Sequence, residues 1–294
     1  MDDSSTLILG STGFLGSYFS KALPSASGYS RKNELYSSLP SSIDSPDDLI
    51  EVIDYYNPTL VINCLALADL ELCEANAQLA FWTNSEIPHF LASYSRIKDY
   101  KLIHFSTDAV FRDADKTRDE SVKNDPTSIY AKSKLQGEIG VLSQNSNHLV
   151  CRANFFGVDT LGKNIFSFFA SKLHTGSEVN GYSDSYFNPV YIEDLVAMTL
   201  ELNTLNCSGL YHIAGDTRLS KAEFAQRVAR EMNLSVELVK VTNSSSDSRW
   251  KIRTKDLYLD NTKLREAGIS PKSLNAGISQ AVKVWMAEKR SESK

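Results

Sequence analysis

Two short stretches of this 294-residue chain carry side chains that could work together on a carbonyl group. Ser106-Thr107-Asp108 supplies a hydroxyl, and Tyr130-Ala131-Lys132-Ser133-Lys134 supplies a phenol and an amine. Four positions apart on a helix, Tyr130 and Lys134 share a face, so the ammonium can lie near the phenol oxygen. A positive charge there favours phenolate and lowers the tyrosine pKa. A tyrosine tuned in this way can give a proton to a nascent alkoxide near neutral pH, while the Thr107 hydroxyl hydrogen-bonds the same oxygen. The chemistry this predicts is hydride reduction of a carbonyl, with Thr107, Tyr130 and Lys134 as the catalytic set.

Spacing alone does not single out this pair, because Tyr94 and Lys98 repeat it. No Ser-Thr strand lies upstream of the second pair, which reads as a surface helix. Position in the fold must decide, and the N-terminus supplies it. Thr6-Leu7-Ile8-Leu9 reads as a buried strand running into Gly10-Ser11-Thr12-Gly13-Phe14-Leu15-Gly16 and then a helical pattern from Ser17 to Leu23. The glycines permit a tight turn and let backbone N–H groups approach a pyrophosphate at the positive end of the helix. Three glycines at three-residue intervals after a strand predict a dinucleotide site; the alternative is an ordinary strand-to-helix turn.

Cofactor choice rests on the end of the second strand, which reads Gly28-Tyr29-Ser30-Arg31-Lys32-Asn33-Glu34. An acid there would hold the ribose 2′-OH of NAD, and a basic residue the 2′-phosphate of NADP. Ser30 with Arg31 and Lys32 favours NADP; Glu34 would serve NAD if the strand runs longer, and a solvated basic turn is the other reading of Arg31 and Lys32.

The formal charge is −5, from 31 basic and 36 acidic residues, with no basic block, which argues against nucleic-acid binding. Cys64, Cys73, Cys151 and Cys207 form no Cys-x-x-Cys pair, so neither a zinc ribbon nor a disulfide framework is expected, and a reducing cytoplasm suits them. Met1-Asp2-Asp3-Ser4-Ser5 lacks the basic and apolar regions of a signal peptide, and no run of 18 apolar residues exists, so neither export nor a membrane is expected.

Strands and helices alternate through the first half, the signature of a parallel doubly wound sheet. Thr59 to Cys64 and Leu102 to Ser106 read as central strands, with Glu71 to Ser95 helical between them. A helix runs from Tyr130 to about Leu142, and His148 to Ala153 is the next strand. Further on, Asn164 to His174, Val190 to Leu202 and Ser220 to Met232 read as helices and Gly209 to Gly215 as a strand, while Asn243 to Ser248 reads as a mobile polar surface loop. The fold class expected is α/β: a doubly wound parallel (Rossmann) sheet with a smaller, mixed α/β C-terminal substrate lobe. Residues 1–160, joined by about 187–215, would form the NADP-binding domain, and 161–186 with 216–294 the substrate-binding lobe.

These residues resemble the extended short-chain dehydrogenase/reductases, and within them the dTDP-4-dehydrorhamnose reductase-like group. The resemblance spans nearly the whole chain. It runs through Gly10-x-x-Gly13-x-x-Gly16, Asn63-Cys64-Leu65-Ala66, Asn84, Ser106-Thr107-Asp108-Ala109-Val110-Phe111 and Tyr130-x-x-x-Lys134-Leu135-x-Gly137-Glu138. It continues through Gly162-Lys163-Asn164-Ile165-Phe166, Pro189-Val190-Tyr191-Ile192-Glu193-Asp194-Leu195, Gly209 to Gly215, and Leu259-Asp260-x-x-Lys263-Leu264. It implies that Tyr130 is the acid, that Lys134 holds the nicotinamide ribose and tunes the phenol, and that Thr107 bonds the substrate carbonyl. It implies that Gly13, Phe14 and Leu15 line the pyrophosphate, Ser42, Ile43 and Asp44 lie by the adenine, and Cys64, Leu65 and Ala66 lie beside the nicotinamide ribose, with Asn154 also at the cofactor. Asp108 and Asn164 are implied at the substrate, and Phe155 or Phe156 takes the place of an aromatic that packs on the sugar, core packing being its other reading.

The implied activity is NAD(P)H-dependent reduction of the 4-keto group of a nucleotide-activated deoxysugar, with a small-molecule partner and a homodimer as a possible assembly. Ala131 replaces a glycine, as many short-chain reductases tolerate, and Arg253-Thr254 stands where Arg-Pro is usual; Ala109 replaces the group's tyrosine and reshapes the substrate side, which admits a deoxyhexose derivative other than dehydrorhamnose. Arg249, Lys251, Arg253 and Lys255 could meet a nucleotide diphosphate or form a solvated edge. Sugar 4,6-dehydratases use Thr-Asp-Glu, and Ala109 cannot supply that glutamate. GDP-fucose-forming epimerase-reductases add a cysteine and a histidine, which neither Cys64 nor His104 matches in position. Two alternatives stay open: another NDP-sugar epimerase or reductase, and a non-catalytic NADP-binding subunit resembling the regulatory subunit of methionine adenosyltransferase.

Overall fold

A computed structural model describes residues 3–292 except 31–38, 113–117, 145–146, 160–161, 163, 248–249 and 251–252. The sequence-predicted positions Arg31, Lys32, Asn33, Glu34, Lys163, Arg249 and Lys251 lie outside the described residues. The chain forms two compact units: residues 1–110, 126–152 and 199–211, and residues 111–125, 153–198 and 212–294.

The first unit is a six-stranded Rossmann-like sheet. Its elements are β1 (Thr6–Leu9), α1 (Phe14–Ala22), β2 (Ser27–Tyr29), α2 (Pro46–Tyr56), β3 (Leu60–Asn63), α3 (Leu70–Ala75), α4 (Ala77–Phe81), α5 (Ile87–Lys98), β4 (Lys101–Thr107), α6 (Ile129–Leu142) and β5 (Leu149–Ala153). After β6 (Phe155–Phe156), α7 (Ile165–His174), β7 (Val179–Tyr182), β8 (Tyr186–Phe187), β9 (Val190–Tyr191) and α8 (Ile192–Thr204), the sheet is completed by β10 (Gly209–Ile213). Strand order is β10-β5-β4-β3-β1-β2, and β1 pairs in parallel with both β2 and β3. The chain therefore leaves β1 first to one side and then to the other, and a crevice opens at the carboxyl ends of the strands where that reversal occurs. Leu7, Leu9, Val61, Leu102 and Val150 pack against Leu49, Val52 and Ile53 of α2 and Ile87 and Leu91 of α5. Continuous apolar strands are what a sheet covered on both faces requires.

Three local features differ from the sequence reading. The first helix begins at Phe14 rather than Ser17, because Gly16 continues the turn directly into the helix. The single helix expected from Glu71 to Ser95 breaks at Asn76, whose carboxamide accepts the Leu79 N–H at 3.0 Å and starts a new helix. A π-helical turn at Trp82–Glu86 then leads into α5. That turn is where α6 packs: a Cβ on Gly137 would stand 2.1 Å from the Asn84 carbonyl oxygen, so only glycine allows this approach.

The second unit continues with β11 (Leu219–Ser220), α9 (Lys221–Glu231), β12 (Val239–Thr242), β13 (Asp256–Leu257), α10 (Thr262–Glu266) and α11 (Leu274–Glu292). Its small sheets are β11-β8-β13, β12-β7 and β6-β9. Val190 and Tyr191, expected to open a helix, pair with Phe155 and Phe156 instead, and the helix starts at Ile192. The polar stretch after Thr242, expected to be mobile, is anchored. Ser244 is fully buried, and its N–H and hydroxyl both donate to the Asp184 carboxylate, at 2.8 and 2.7 Å, which Lys255 also reaches at 3.0 Å.

Candidate active site

The glycine turn stands at the carboxyl end of β1. Gly10 has φ +80°, a conformation that favours glycine, and its N–H and that of Ser11 donate to the Tyr29 carbonyl at 2.8 and 3.2 Å. The turn closes on itself so tightly that a Cβ on Gly16 would lie 2.1 Å from the Gly10 oxygen. Gly28 makes room in the same way for Ser11, and Cys64 and Leu65 pass beside Gly10. The ends of β1, β2 and β3 thus converge on Gly10-Ser11-Thr12-Gly13-Phe14-Leu15-Gly16. Gly13 caps α1 without a side-chain hydrogen bond, and no acidic residue occupies the first helical turn. A helix end of this kind presents N–H groups and positive potential to an anion. Among the described residues the buried Ser30 hydroxyl at the end of β2 has no hydrogen-bond partner, as suits a group awaiting one. An adenine dinucleotide fits these residues.

Nearby, Trp82 donates its indole N–H to the Ile43 carbonyl at 3.0 Å, and Ser42 hydrogen-bonds Asp44, fixing the loop that precedes α2. Asn63 accepts the Leu65 N–H at 3.1 Å. Asn84 holds Leu67 by both its N–H and its carbonyl, at 2.9 and 3.0 Å, and donates to Ser133 of α6 at 3.0 Å. The stretch Cys64-Leu65-Ala66 is therefore fixed between two asparagines.

Thr107, Tyr130 and Lys134 meet within the first unit. Ser128 caps α6 and sets Tyr130 in its first turn against the end of β4, where the Thr107 hydroxyl lies close to the phenol. Thr107 also donates to Asp108 at 3.1 Å and accepts the Ala109 N–H at 3.2 Å. Lys134 is buried, and its ammonium donates to the Phe105 carbonyl. One expectation is corrected here. The Tyr130 phenol is raised rather than lowered: desolvation pushes it up to about 12, opposed by the Thr107 hydroxyl and helped by the Asp108 carboxylate. The lysine is itself pushed down to about 8 by burial. Both follow from desolvation of a charged form, which outweighs the through-space effect of a four-residue spacing.

Tyr94 and Lys98 both engage Asp54, at 2.8 and 2.9 Å, on the outer face of α5.

The remaining sequence-predicted positions lie in the second unit. Phe156 is fully buried among Phe166, Tyr191 and Phe224, which is core packing, whereas Phe155 is half-buried. The carbonyl of Asn154 accepts the Val190 N–H at 3.0 Å. Asn164 caps α7, accepting the Phe166 and Ser167 N–H groups at 2.9 and 3.1 Å, and lines a cavity of about 740 Å³. Phe168, Tyr182, Trp250, Lys172, Lys221 and Arg253 share that cavity. Lys221 and Arg253 stand over the Trp250 ring at 5.3 and 5.9 Å.

The sequence reading quoted Glu138 only within a motif and passed over Arg152, yet both are fully buried and paired, with 2.7 Å between Arg152 Nη2 and Glu138 Oε2. A lone arginine in the apolar strand Leu149–Ala153 was the available signal, since a buried charge needs a partner.

Among characterised proteins, the chain is 27% identical over 266 residues to the probable low-salt glycan biosynthesis reductase Agl14 of Haloferax volcanii, covering 86% of this chain and 88% of that protein. The dTDP-4-dehydrorhamnose reductase of Mycobacterium tuberculosis is 28% identical over 219 residues, 72% of each chain. Methionine adenosyltransferase 2 subunit beta of Xenopus tropicalis is 26% identical over 306 residues, 97% of this chain and 89% of that one. In fold, the chain matches the crystal structure of dTDP-4-dehydrorhamnose reductase from Bacillus anthracis in complex with NADP, with a TM-score of 0.83 at 24% identity over 94% of this chain and 97% of that one. Residues 4–286 match the RmlD substrate binding domain, and the chain belongs to that family.

Proposed function

We propose that this protein is an NADPH-dependent reductase of the 4-keto group of a nucleotide-activated deoxysugar, with Tyr130 as proton donor. The observation that carries this reading is the assembly of Thr107, Tyr130 and Lys134 in one unit with the glycine turn. NADPH, when bound, supplies the hydride that adds to the carbonyl carbon. Gly10 to Gly16 would hold its pyrophosphate at the open end of α1, Cys64 to Ala66 and Lys134 would hold the nicotinamide ribose, and Ser42 to Asp44 the adenine. The Thr107 hydroxyl positions the substrate oxygen, and Tyr130 releases its proton to that oxygen as negative charge builds there. A phenol at about 12 keeps its proton at neutral pH, so the donor form is populated, and an alkoxide is basic enough to take it. Asp108, Phe155 and Asn164 are assigned to the substrate, and residues 31–32 with Ser30 to the 2′-phosphate.

The second unit's cavity suits a nucleoside diphosphate, with cations for phosphate and aromatic rings for a base. The free thiols of Cys64, Cys73, Cys151 and Cys207 suit a reducing compartment such as the cytoplasm.

The test is a panel of NDP-4-keto-6-deoxysugars with NADPH oxidation as readout. The reading predicts turnover with at least one of them and none with the corresponding 4-hydroxy sugars. For the cofactor, Arg31→Ala should raise the Michaelis constant for NADPH relative to NADH; an unchanged ratio would reject the preference for NADP. A second reading, a binding subunit without turnover, is favoured by the extent of the match to methionine adenosyltransferase 2 subunit beta. Co-purification with a synthetase together with an inert keto-sugar panel would select it.

A further inference from the structure

The acid of the proposed reaction stands where a helix is least secure. Tyr130 is the second residue of α6, and residues 123–127 ahead of that helix form no helix or strand. The first N–H groups of a helix have no partner within it, and helix ends fray unless side chains hold them. Two side chains hold this one. The Ser128 hydroxyl accepts the Ala131 N–H at 3.2 Å, and the carboxylate of Glu74, on α3, accepts the Ile129 N–H at 2.7 Å. The second bond is the shorter, comes from another element, and sets an anion at the positive end of α6. Beyond Tyr130, the Ser133 hydroxyl donates to the Tyr130 carbonyl at 2.8 Å and accepts an N–H of the Asn84 carboxamide at 3.0 Å. The backbone is thus fastened on both sides of Tyr130, by Glu74 before it and by Ser133 and Asn84 after it.

Glu74 reaches α6 from a fixed support. Six residues make α3 too short to persist alone, but Asp69 caps it by accepting the Leu72 N–H at 3.0 Å, and the buried Cys73 donates its thiol to the Leu67 carbonyl at 3.4 Å. Leu67 follows directly on Cys64-Leu65-Ala66, and Asn84 binds it through both its N–H and its carbonyl.

We propose that Glu74 is a positioning residue of the reductase site: by holding the Ile129 N–H it keeps the first turn of α6 closed and the Tyr130 phenol beside Thr107. The proposal rests on the reading of Tyr130 as the acid. A proton donor must stand within hydrogen-bond reach of the substrate oxygen, and a first turn that opens carries the phenol away from it. Glu74 is exposed, so its substitution removes no core packing.

The test compares Glu74→Ala, which removes the acceptor, with Glu74→Gln, which keeps a carbonyl oxygen in its place. Amide hydrogen exchange in the full chain, read by NMR, reports the hold itself. Exchange at Ile129 should quicken about fivefold or more in Glu74→Ala, the size of a lost cap, and stay near wild type in Glu74→Gln. On the keto-sugar that wild type turns over, kcat should fall about tenfold in Glu74→Ala, less than a full 1 Å misplacement costs because the other holds remain. Glu74→Gln should restore kcat, and the dissociation constant for NADPH should stay near wild type in both variants, a split that a contact serving stability alone would not produce. Unchanged exchange at Ile129, wild-type kcat in a folded Glu74→Ala protein, or a Glu74→Gln protein no better than Glu74→Ala overturns the proposal. If wild type is inert on every keto-sugar while exchange at Ile129 still quickens in Glu74→Ala alone, the reductase reading fails and the hold of Glu74 on α6 stands.

Discussion

Replacing Gly137 with alanine should separate activity from stability. Its Cβ would lie 2.1 Å from the Asn84 carbonyl oxygen, and real Cβ atoms essentially never come within 3.0 Å of another heavy atom. The obstacle is backbone of the π turn, so α6 must move away from it by about 1 Å, a displacement that at reacting groups costs about 10²-fold in rate. Overpacking costs about 1–3 kcal/mol. Alanine in place of a helical glycine returns about 1 kcal/mol, so the net loss of stability is small. The assay is kcat on the keto-sugar identified by the panel, with thermal unfolding in parallel. The expected result is a loss near a hundredfold for Gly137→Ala, with a melting temperature close to wild type. A folded Gly137→Ala protein with wild-type kcat would show that the seat of α6 on the π turn does not set the position of Tyr130.

Other outcomes follow from the same geometry. Lys134 falls from 10.5 to about 8 on burial, a penalty of about 3 kcal/mol at neutral pH. Between pH 8 and 10.5 the unfolded chain binds the extra proton, so this lysine makes wild-type stability rise with pH across that window. Lys134→Met should abolish turnover yet raise the melting temperature at pH 7, and calorimetry against pH should show that the variant has lost the rise. Arg253→Ala should weaken dTDP binding about tenfold or more in a calorimetric titration, the size of a lost charge-assisted bond; unaltered affinity would remove the cavity from the nucleotide's seat.

Much of this arrangement was legible in the chain because the signals are local. A strand, three glycines and a helix in succession announce the turn, and the four-residue spacing of Tyr130 and Lys134 announces a shared helical face. What escaped depends on partners far apart in sequence. The burial of Ser244 is owed to Asp184, and the Glu138 carboxylate to Arg152 on another element, and neither pairing leaves a periodic trace. The break at Asn76 was visible in principle, since asparagine competes for backbone N–H groups, but an apolar pattern on both sides of it masked the cap. The direction of the Tyr130 shift was misread because spacing reports a neighbouring charge and not the loss of water around the phenol.

The proton donor is the claim on which the rest depends, and Tyr130→Phe tests it most directly. The substitution removes one oxygen and leaves the ring, so NADPH binding, followed by fluorescence, should stay within a few-fold of wild type. Single-turnover oxidation of that bound NADPH by the NDP-4-keto-6-deoxysugar should then be lost. Substantial turnover by a Tyr130→Phe protein that binds NADPH normally would contradict the assignment.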